Sequence, residues 1–350
     1  MFNTNAVDEV ILAGLEEKVY PGAAVAIGNR DGEIYRNFYG NRQLVPETKP
    51  IFEDTRFDIA SLTKLVSSVV ALKLIESGKL SLTDTLDKFF EVPEDKVDIN
   101  IQHLMTHTSG LPSHLMLQDL IRNPEDAVHC ILNEKEAGKP GVKVDYSCMG
   151  YILLGKICEK VSDETLDALV SKFITAPMDL KSMTYNPKQE GTFAVTEFDQ
   201  LNNEWLEGVV HDENARFLGG VSANAGIFAN ISDMSKLALM FANKGRFNDK
   251  EIVGFDIFEL AIKNLTPFSD DGRGLGFEIK SKERVSCSDY FSIGSYGHTG
   301  FTGTSLWVDS ETSLYVVLLS NRVHPTRDNV LHIPFRRRLH DLCANLYAQM

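Results

Sequence analysis

Phe57-Asp58-Ile59-Ala60-Ser61-Leu62-Thr63-Lys64 contains the tetrad S-x-x-K at Ser61–Lys64. It runs into Leu65-Val66-Ser67-Ser68-Val69-Val70-Ala71-Leu72-Lys73-Leu74-Ile75-Glu76-Ser77-Gly78. The second stretch is mostly apolar and closes on glycine, which predicts a buried helix ending near Gly78. With the helix starting near Ser61, residues three apart share a face, so the Lys64 ammonium can reach the Ser61 hydroxyl. The helix N-terminus adds partial positive charge there, which favours an alkoxide. On its own the tetrad says little, because Ser and Lys are common and the pattern arises by chance about once in a chain of this length. Two further segments change its weight.

Tyr146-Ser147-Cys148 precedes the apolar run Met149-Gly150-Tyr151-Ile152-Leu153-Leu154-Gly155-Lys156-Ile157-Cys158, and Gly138-Lys139-Pro140-Gly141 upstream is a turn signal. Tyr146 is therefore expected on a loop at the start of a helix, where a phenol can face a cleft; an aromatic simply packed at a helix start is the plainer alternative. Gly297-His298-Thr299-Gly300-Phe301-Thr302-Gly303-Thr304-Ser305 leads into two apolar runs separated by Asp309-Ser310-Glu311, which predict paired strands joined by a short turn. The glycines beside Thr299 allow a substrate backbone to come close; a glycine-rich hairpin without chemistry is the alternative.

Taken together, S-x-x-K, a Y-x-x and H-T-G in this order resemble the serine β-lactamase and penicillin-binding protein superfamily. The chain looks most like the class C branch, which also holds DD-peptidases, D-aminopeptidases and esterases. The resemblance runs from about Tyr20 to about Asn321. Supporting stretches are Pro21-Gly22-Ala23-Ala24-Val25-Ala26-Ile27, Leu80-Ser81-Leu82-Thr83-Asp84, Leu104-Met105-Thr106-His107-Thr108-Ser109-Gly110-Leu111 and Gly226-Ile227-Phe228-Ala229-Asn230-Ile231-Ser232-Asp233-Met234. The resemblance implies an α/β (α+β) fold: an antiparallel sheet flanked by helices, an inserted all-helical domain, and the site at their junction. It implies Ser61 as nucleophile, with Lys64 and Tyr146 as the proton-transfer pair. The oxyanion hole falls to the N–H groups of Ser61 and Phe301, with His298, Thr299, Gly300 and Cys148 binding substrate. Lys64 is expected to depress the Tyr146 pKa toward a phenolate, and which of the two is the base stays open.

Two departures from the family pattern matter. Cys148 stands where an Asn is usual, and a thiol offers only a weak donor in place of an amide. His298 stands where β-lactamases have Lys. It is neutral or partly charged near pH 7 and so anchors a carboxylate less well.

The residues themselves give the same layout. Val7, Ile11 and Leu15 recur every four residues and predict an amphipathic helix. Ala23–Ile27 and Glu33–Tyr39 read as strands of a hairpin turning at Asn29-Arg30-Asp31-Gly32. Strands about Ser305–Ser320 and an amphipathic helix over Leu331–Tyr347 follow near the C-terminus. Residues 1–76 and 237–350 are thus expected to form one α/β domain, with 77–236 the helical insert. Two further stretches, Val210-His211-Asp212-Glu213-Asn214-Ala215-Arg216 and Asn321-Arg322-Val323-His324-Pro325, are candidates to line the cleft.

Composition bounds the rest. The chain has 350 residues, 43% of them hydrophobic, and a formal net charge of −14. That supports a full core and argues against nucleic acid or an anionic membrane surface as partner. No segment approaches the roughly 20 apolar residues of a membrane helix. Met1-Phe2-Asn3-Thr4-Asn5-Ala6-Val7-Asp8-Glu9-Val10 has neither a basic nor an apolar signal region, so the expected location is cytoplasmic. The five cysteines, Cys130, Cys148, Cys158, Cys287 and Cys343, show no C-x-x-C spacing and are expected to be reduced. His103, His107, His114 and His129 lie close in sequence but fit no zinc pattern, so no metal or cofactor is expected. The expected function is a serine hydrolase acting through a Ser61 acyl-enzyme on small esters, amides or peptide-like molecules. The alternatives are a β-lactamase or D-amino-acid peptidase, and a non-catalytic module that keeps the cleft to bind a ligand. The sequence carries no reading of oligomeric state.

Overall fold

The computed structural model describes residues 2–134, 138–187, 191–282 and 286–350. Its centre is an antiparallel sheet built from both ends of the chain. The strands are β1 (Gly22–Asn29), β2 (Gly32–Gln43), β3 (Lys49–Pro50), β4 (Gly272–Arg273), β5 (Glu278–Ile279), β6 (Tyr296–Thr299), β7 (Ser305–Val308) and β8 (Tyr315–Ser320). Their spatial order is β4-β5-β6-β7-β8-β1-β2-β3. The near-continuous apolar run of β1 follows from this central place. It pairs with β8 from Ala23↔Ser320 to Gly28↔Tyr315 and with β2 on its other side. Ala24 and Ala26 face one core, while Ala23, Val25 and Ile27 face the other.

The second face is covered by α1 (Thr4–Glu16) and a long C-terminal helix, His332–Ala348. Asn3 caps α1 through its side chain, and Val7 and Ile11 are fully buried beneath it, as the four-residue period predicts. The first face carries α2 (Thr63–Glu76), α3 (Cys148–Ser162) and α4 (Ile231–Ala242). α2 is buried on every side from Thr63 to Leu72, which is why its sequence shows no polar face. It stops where expected: Gly78 takes a positive φ of 71°, and Gly78 N–H and Lys79 N–H close on the carbonyls of Ile75 and Leu74. The C-terminal helix is called α5 below. Among the described residues, no helix is long and apolar enough to cross a membrane. All five cysteines are free thiols.

Candidate active site

The approach to Ser61 is held from below. Phe57–Asp58 pairs with Ile227–Ala229 in a small three-stranded sheet completed by Thr184–Tyr185. The chain then enters a 3-10 turn, Ala60–Leu62, that leads directly into α2. Ala60 takes a φ of 47°, a left-handed conformation that costs a residue with a Cβ and marks a backbone held against its preference. The buried Asp58 carboxylate holds it there, accepting the N–H groups of Ala60 (2.8 Å) and His211 (2.7 Å).

Around Ser61 the predicted residues converge. Lys64 Nζ lies 3.1 Å from Ser61 Oγ, and Tyr146 Oη donates to the same oxygen at 2.8 Å. Lys64 is wholly buried; its ammonium also reaches the Asn224 carbonyl at 2.9 Å and Cys148 Sγ at 3.6 Å, and lies 4.9 and 5.5 Å from the Tyr146 and Tyr151 ring centroids. Burial opposes charge on Lys64. The acidic groups around it, Cys148 and Tyr146 first, outweigh that and hold its pKa above the usual lysine range. Lys64 is therefore a cation, and all three of its protons have acceptors.

Tyr146 departs from expectation. Its pKa is raised, not depressed: burial is the largest cause, and Lys64 offsets it only in part. Sequence shows the neighbouring cation but not the desolvation. The loop carrying Tyr146 is clamped by the Leu104–Leu111 stretch. Ser147 N–H donates to His107 Nδ1 at 3.1 Å, Asp145 N–H to the His107 carbonyl at 2.8 Å, and Ser147 caps α3 through Gly150 N–H at 3.2 Å. The His107 ring also packs on Tyr146, with centroids 4.5 Å apart. The four histidines noted in the sequence do not converge: His103 serves as the helix-start box with Asn100, and His129 bonds Asn133.

His298 is on β6 and buried. Its Nδ1–H donates to the Thr299 carbonyl at 2.7 Å, leaving Nε2 as an acceptor without a partner among the described residues. Burial, then Lys64 and Arg273, push its pKa down to about 3, so it is neutral near pH 7 and no carboxylate anchor. Gly300 is needed for a different close approach from the one expected. A Cβ there would meet Thr304 Oγ1 at 2.0 Å and the Ile59 carbonyl at 2.7 Å, so the glycine lets the H-T-G loop abut the Ser61 turn. Two hydroxyls stitch that contact: Thr302 to the Asp58 carbonyl (2.8 Å) and Thr304 to the Ile59 carbonyl (3.0 Å). Phe301 projects outward, 49% exposed, and nothing accepts its N–H among the described residues.

Both candidate cleft stretches approach the site. His211 stacks on Phe301 with centroids 5.5 Å apart, and Asp212 bonds the Asn224 side chain at 3.2 Å. Arg322 grips the Phe301 carbonyl at 2.8 Å and lies 4.4 Å from its ring centroid, supporting the loop from behind. His324 is buried against the Thr196 carbonyl and Leu44 N–H instead of facing the cleft. Sequence reasoning missed Arg273 on β4. Its guanidinium stands 5.6 Å over the Tyr146 ring and is ion-paired to Asp271 at 2.9 Å. It also missed Asn224. Nothing local marks either one, because only the fold brings them in.

A family model described as Beta-lactamase matches residues 7–341. An N-acetylmuramyl-L-alanine amidase of Bacillus subtilis (strain 168) is 30% identical to this chain, over 87% of this chain and 78% of that protein. Among solved structures, EstCE1, a hydrolase with promiscuous acyltransferase activity, superposes with a TM-score of 0.78 at 20% identity, over 97% of this chain and 98% of its own. The octameric penicillin-binding protein homologue from Pyrococcus abyssi gives 0.73 at 23% identity, over 91% and 73%. At those identities the two structures speak to the fold.

Proposed function

The chain belongs to the β-lactamase family and is a serine hydrolase of that family; from that premise we propose that it cleaves small esters and amides through an acyl-enzyme on Ser61. The observation that carries this is the convergence of Lys64 Nζ and Tyr146 Oη on Ser61 Oγ, at 3.1 and 2.8 Å. Lys64, as a cation with its protons engaged, has no lone pair for the Ser61 proton. Tyr146 is left as the acceptor in its phenolate form, a minority species that Lys64 and Arg273 favour from 4.9 and 5.6 Å off the ring centroid. As the Ser61 oxygen bonds the substrate carbonyl carbon, the carbonyl oxygen gains negative charge, and the N–H groups of Ser61 and Phe301 receive it. One such donor is worth roughly 100- to 1000-fold in rate in another hydrolase. Tyr146 then returns the proton to the leaving group, and water repeats the cycle on the acyl-enzyme.

Esters are favoured over β-lactams. Cys148 supplies no amide for an acylamido side chain, and neutral His298 presents a lone pair where a carboxylate would need a donor. The amidase relative supports keeping amides in the substrate class. Intact-mass analysis after fluorophosphonate treatment tests the proposal, together with p-nitrophenyl butyrate hydrolysis. One stoichiometric adduct on Ser61 and loss of both signals in Ser61→Ala are expected, with thermal stability nearly unchanged. Full hydrolysis by Ser61→Ala would move the chemistry elsewhere, with Cys148 the next suspect. No adduct and no turnover in the wild type would leave a cleft that only binds.

A further inference from the structure

β6 and the turn after it present their residues in alternation. His298, Gly300 and Thr302 are buried, Thr299 is half-buried and Phe301 is open to solvent. An exposed phenylalanine is ordinary on a protein surface, but this one is fixed in place. The His211 ring stacks on it, and the Arg322 and Arg327 guanidinium carbons lie 4.4 and 5.8 Å from its centroid. Each prop is itself tied down. His211 Nε2 meets Glu197 Oε2 at 2.7 Å, and its backbone N–H donates to the Asp58 carboxylate. Arg322 donates to the Phe301 carbonyl, and Arg327 is ion-paired to Glu197 and Glu213. The ring therefore offers a rigid apolar face that a ligand can cover at little cost in side-chain entropy.

The direction of the chain decides which part of a substrate meets that face. His298 packs beside Tyr146, with ring centroids 5.8 Å apart, whereas Phe301, three residues on, packs beside His211. Tyr146 returns the proton to the leaving group, so the leaving group lies at the His298 end and the acyl chain at the Phe301 end. Polar anchors are scarce there. An acylamino chain carries an N–H and a carbonyl that need partners once desolvated. The Phe301 carbonyl is held by Arg322 at 2.8 Å, and the Phe301 N–H is assigned to the oxyanion. Cys148 offers a thiol, only a weak donor, and Thr299 stands next to His298 at the other end.

We propose that the Phe301 ring, backed by His211, is the wall against which the acyl chain packs. It selects esters and amides of plain apolar acids, arylacetic acids above all, over those of acylamino acids. This rests on the acyl-enzyme reading above and narrows its substrate class.

Four p-nitrophenyl esters sharing one leaving group test it: acetate, phenylacetate, N-acetylglycinate and 4-oxopentanoate. The last is the N-acetylglycinate with CH2 in place of N–H. Each kcat/KM is divided by that ester's rate with hydroxide. Phenylacetate should exceed acetate by about tenfold. Phe301→Ala should collapse that preference, mainly by raising KM for phenylacetate, while Phe301→Tyr should keep it. In the wild type 4-oxopentanoate should match or exceed N-acetylglycinate, a comparison that stands even where Phe301→Ala fails to fold. The proposal is overturned by a wild type without the phenylacetate preference, by a preference that survives Phe301→Ala, or by N-acetylglycinate preferred over its isostere. Each of those results leaves the Ser61 acyl-enzyme in place. Absence of Ser61-dependent turnover for all four esters would instead remove the underlying reading, and this one with it.

Discussion

Mild acid should unfold this protein, and the cause is a set of histidines rather than carboxylates. His298, His332 and His340 are each held at a pKa of about 3, with burial the largest cause in all three. In the unfolded chain each returns to about 6.5. Between those values the unfolded state binds a proton that the folded state refuses, so stability is intact above pH 6.5 and lost as the pH falls toward 3. From pH 7 to pH 5 this amounts to about 2 kcal/mol per histidine, or roughly 6 kcal/mol together. That rivals the roughly 5–15 kcal/mol of a whole domain. His107, also depressed by burial, adds in the same direction. Asp58, whose carboxyl is raised by burial, works the other way, but it is one group against six, since burial depresses His103 and His324 as well. The acid-shifted Glu197, near 2, contributes only below the ordinary Glu range. Urea unfolding at pH 7, 6 and 5, with chloride held constant, measures the loss directly. The midpoint should fall steeply, and His340→Gln should reduce the pH slope by about one proton whatever it does to stability at pH 7. Stability flat to within about 1 kcal/mol across this range would refute the reasoning and mean that these rings are solvated or paired with acceptors that tolerate the charge.

Other outcomes follow from the site. With the Tyr146 phenolate as the active form and its pKa raised, kcat/KM for p-nitrophenyl butyrate should climb about tenfold per pH unit from 7 to 9; a plateau below pH 8 would assign the base to another group. Lys64→Ala and Tyr146→Phe should each slow acylation by about two orders of magnitude or more, with the double variant little worse than the worse single one. Multiplicative losses in stopped-flow acylation would mean the pair does not act as a unit. Wild-type kcat/KM should favour p-nitrophenyl butyrate over nitrocefin, and Cys148→Asn should shift the ratio toward nitrocefin. An unchanged ratio would remove Cys148 from the substrate.

The parts of this site that sequence revealed are those held in contiguous motifs. Ser61 and Lys64 are one helical turn apart, so their contact follows from helix geometry alone. Tyr146 was legible from its place before α3, and the hairpin strands from their alternation and turn residues. What stayed hidden depends on contacts across the fold. Arg273 is on an edge strand of two residues with no pattern of its own, and Asn224 takes part through a backbone carbonyl that any residue possesses. His107 belongs to the Leu104–Leu111 stretch, yet its work as acceptor for Ser147 N–H depends on two loops meeting. The sign of the Tyr146 shift and the neutrality of His298 were missed or left open for one reason: burial is a property of the packed chain, and it dominates both.

The Thr302 and Thr304 hydroxyls that fasten the H-T-G loop to the Ser61 turn bridge separations of 244 and 245 residues. During synthesis Ser61 therefore leaves the ribosome long before the Phe301 N–H exists. At about 5–20 residues per second, that interval is on the order of 10 to 50 seconds. Throughout it Ser61 has its lysine nearby but no finished pocket, and the central strand β1 waits for β8 with one edge unpaired. The proposed acyl-transfer centre is thus complete only when the last strands dock.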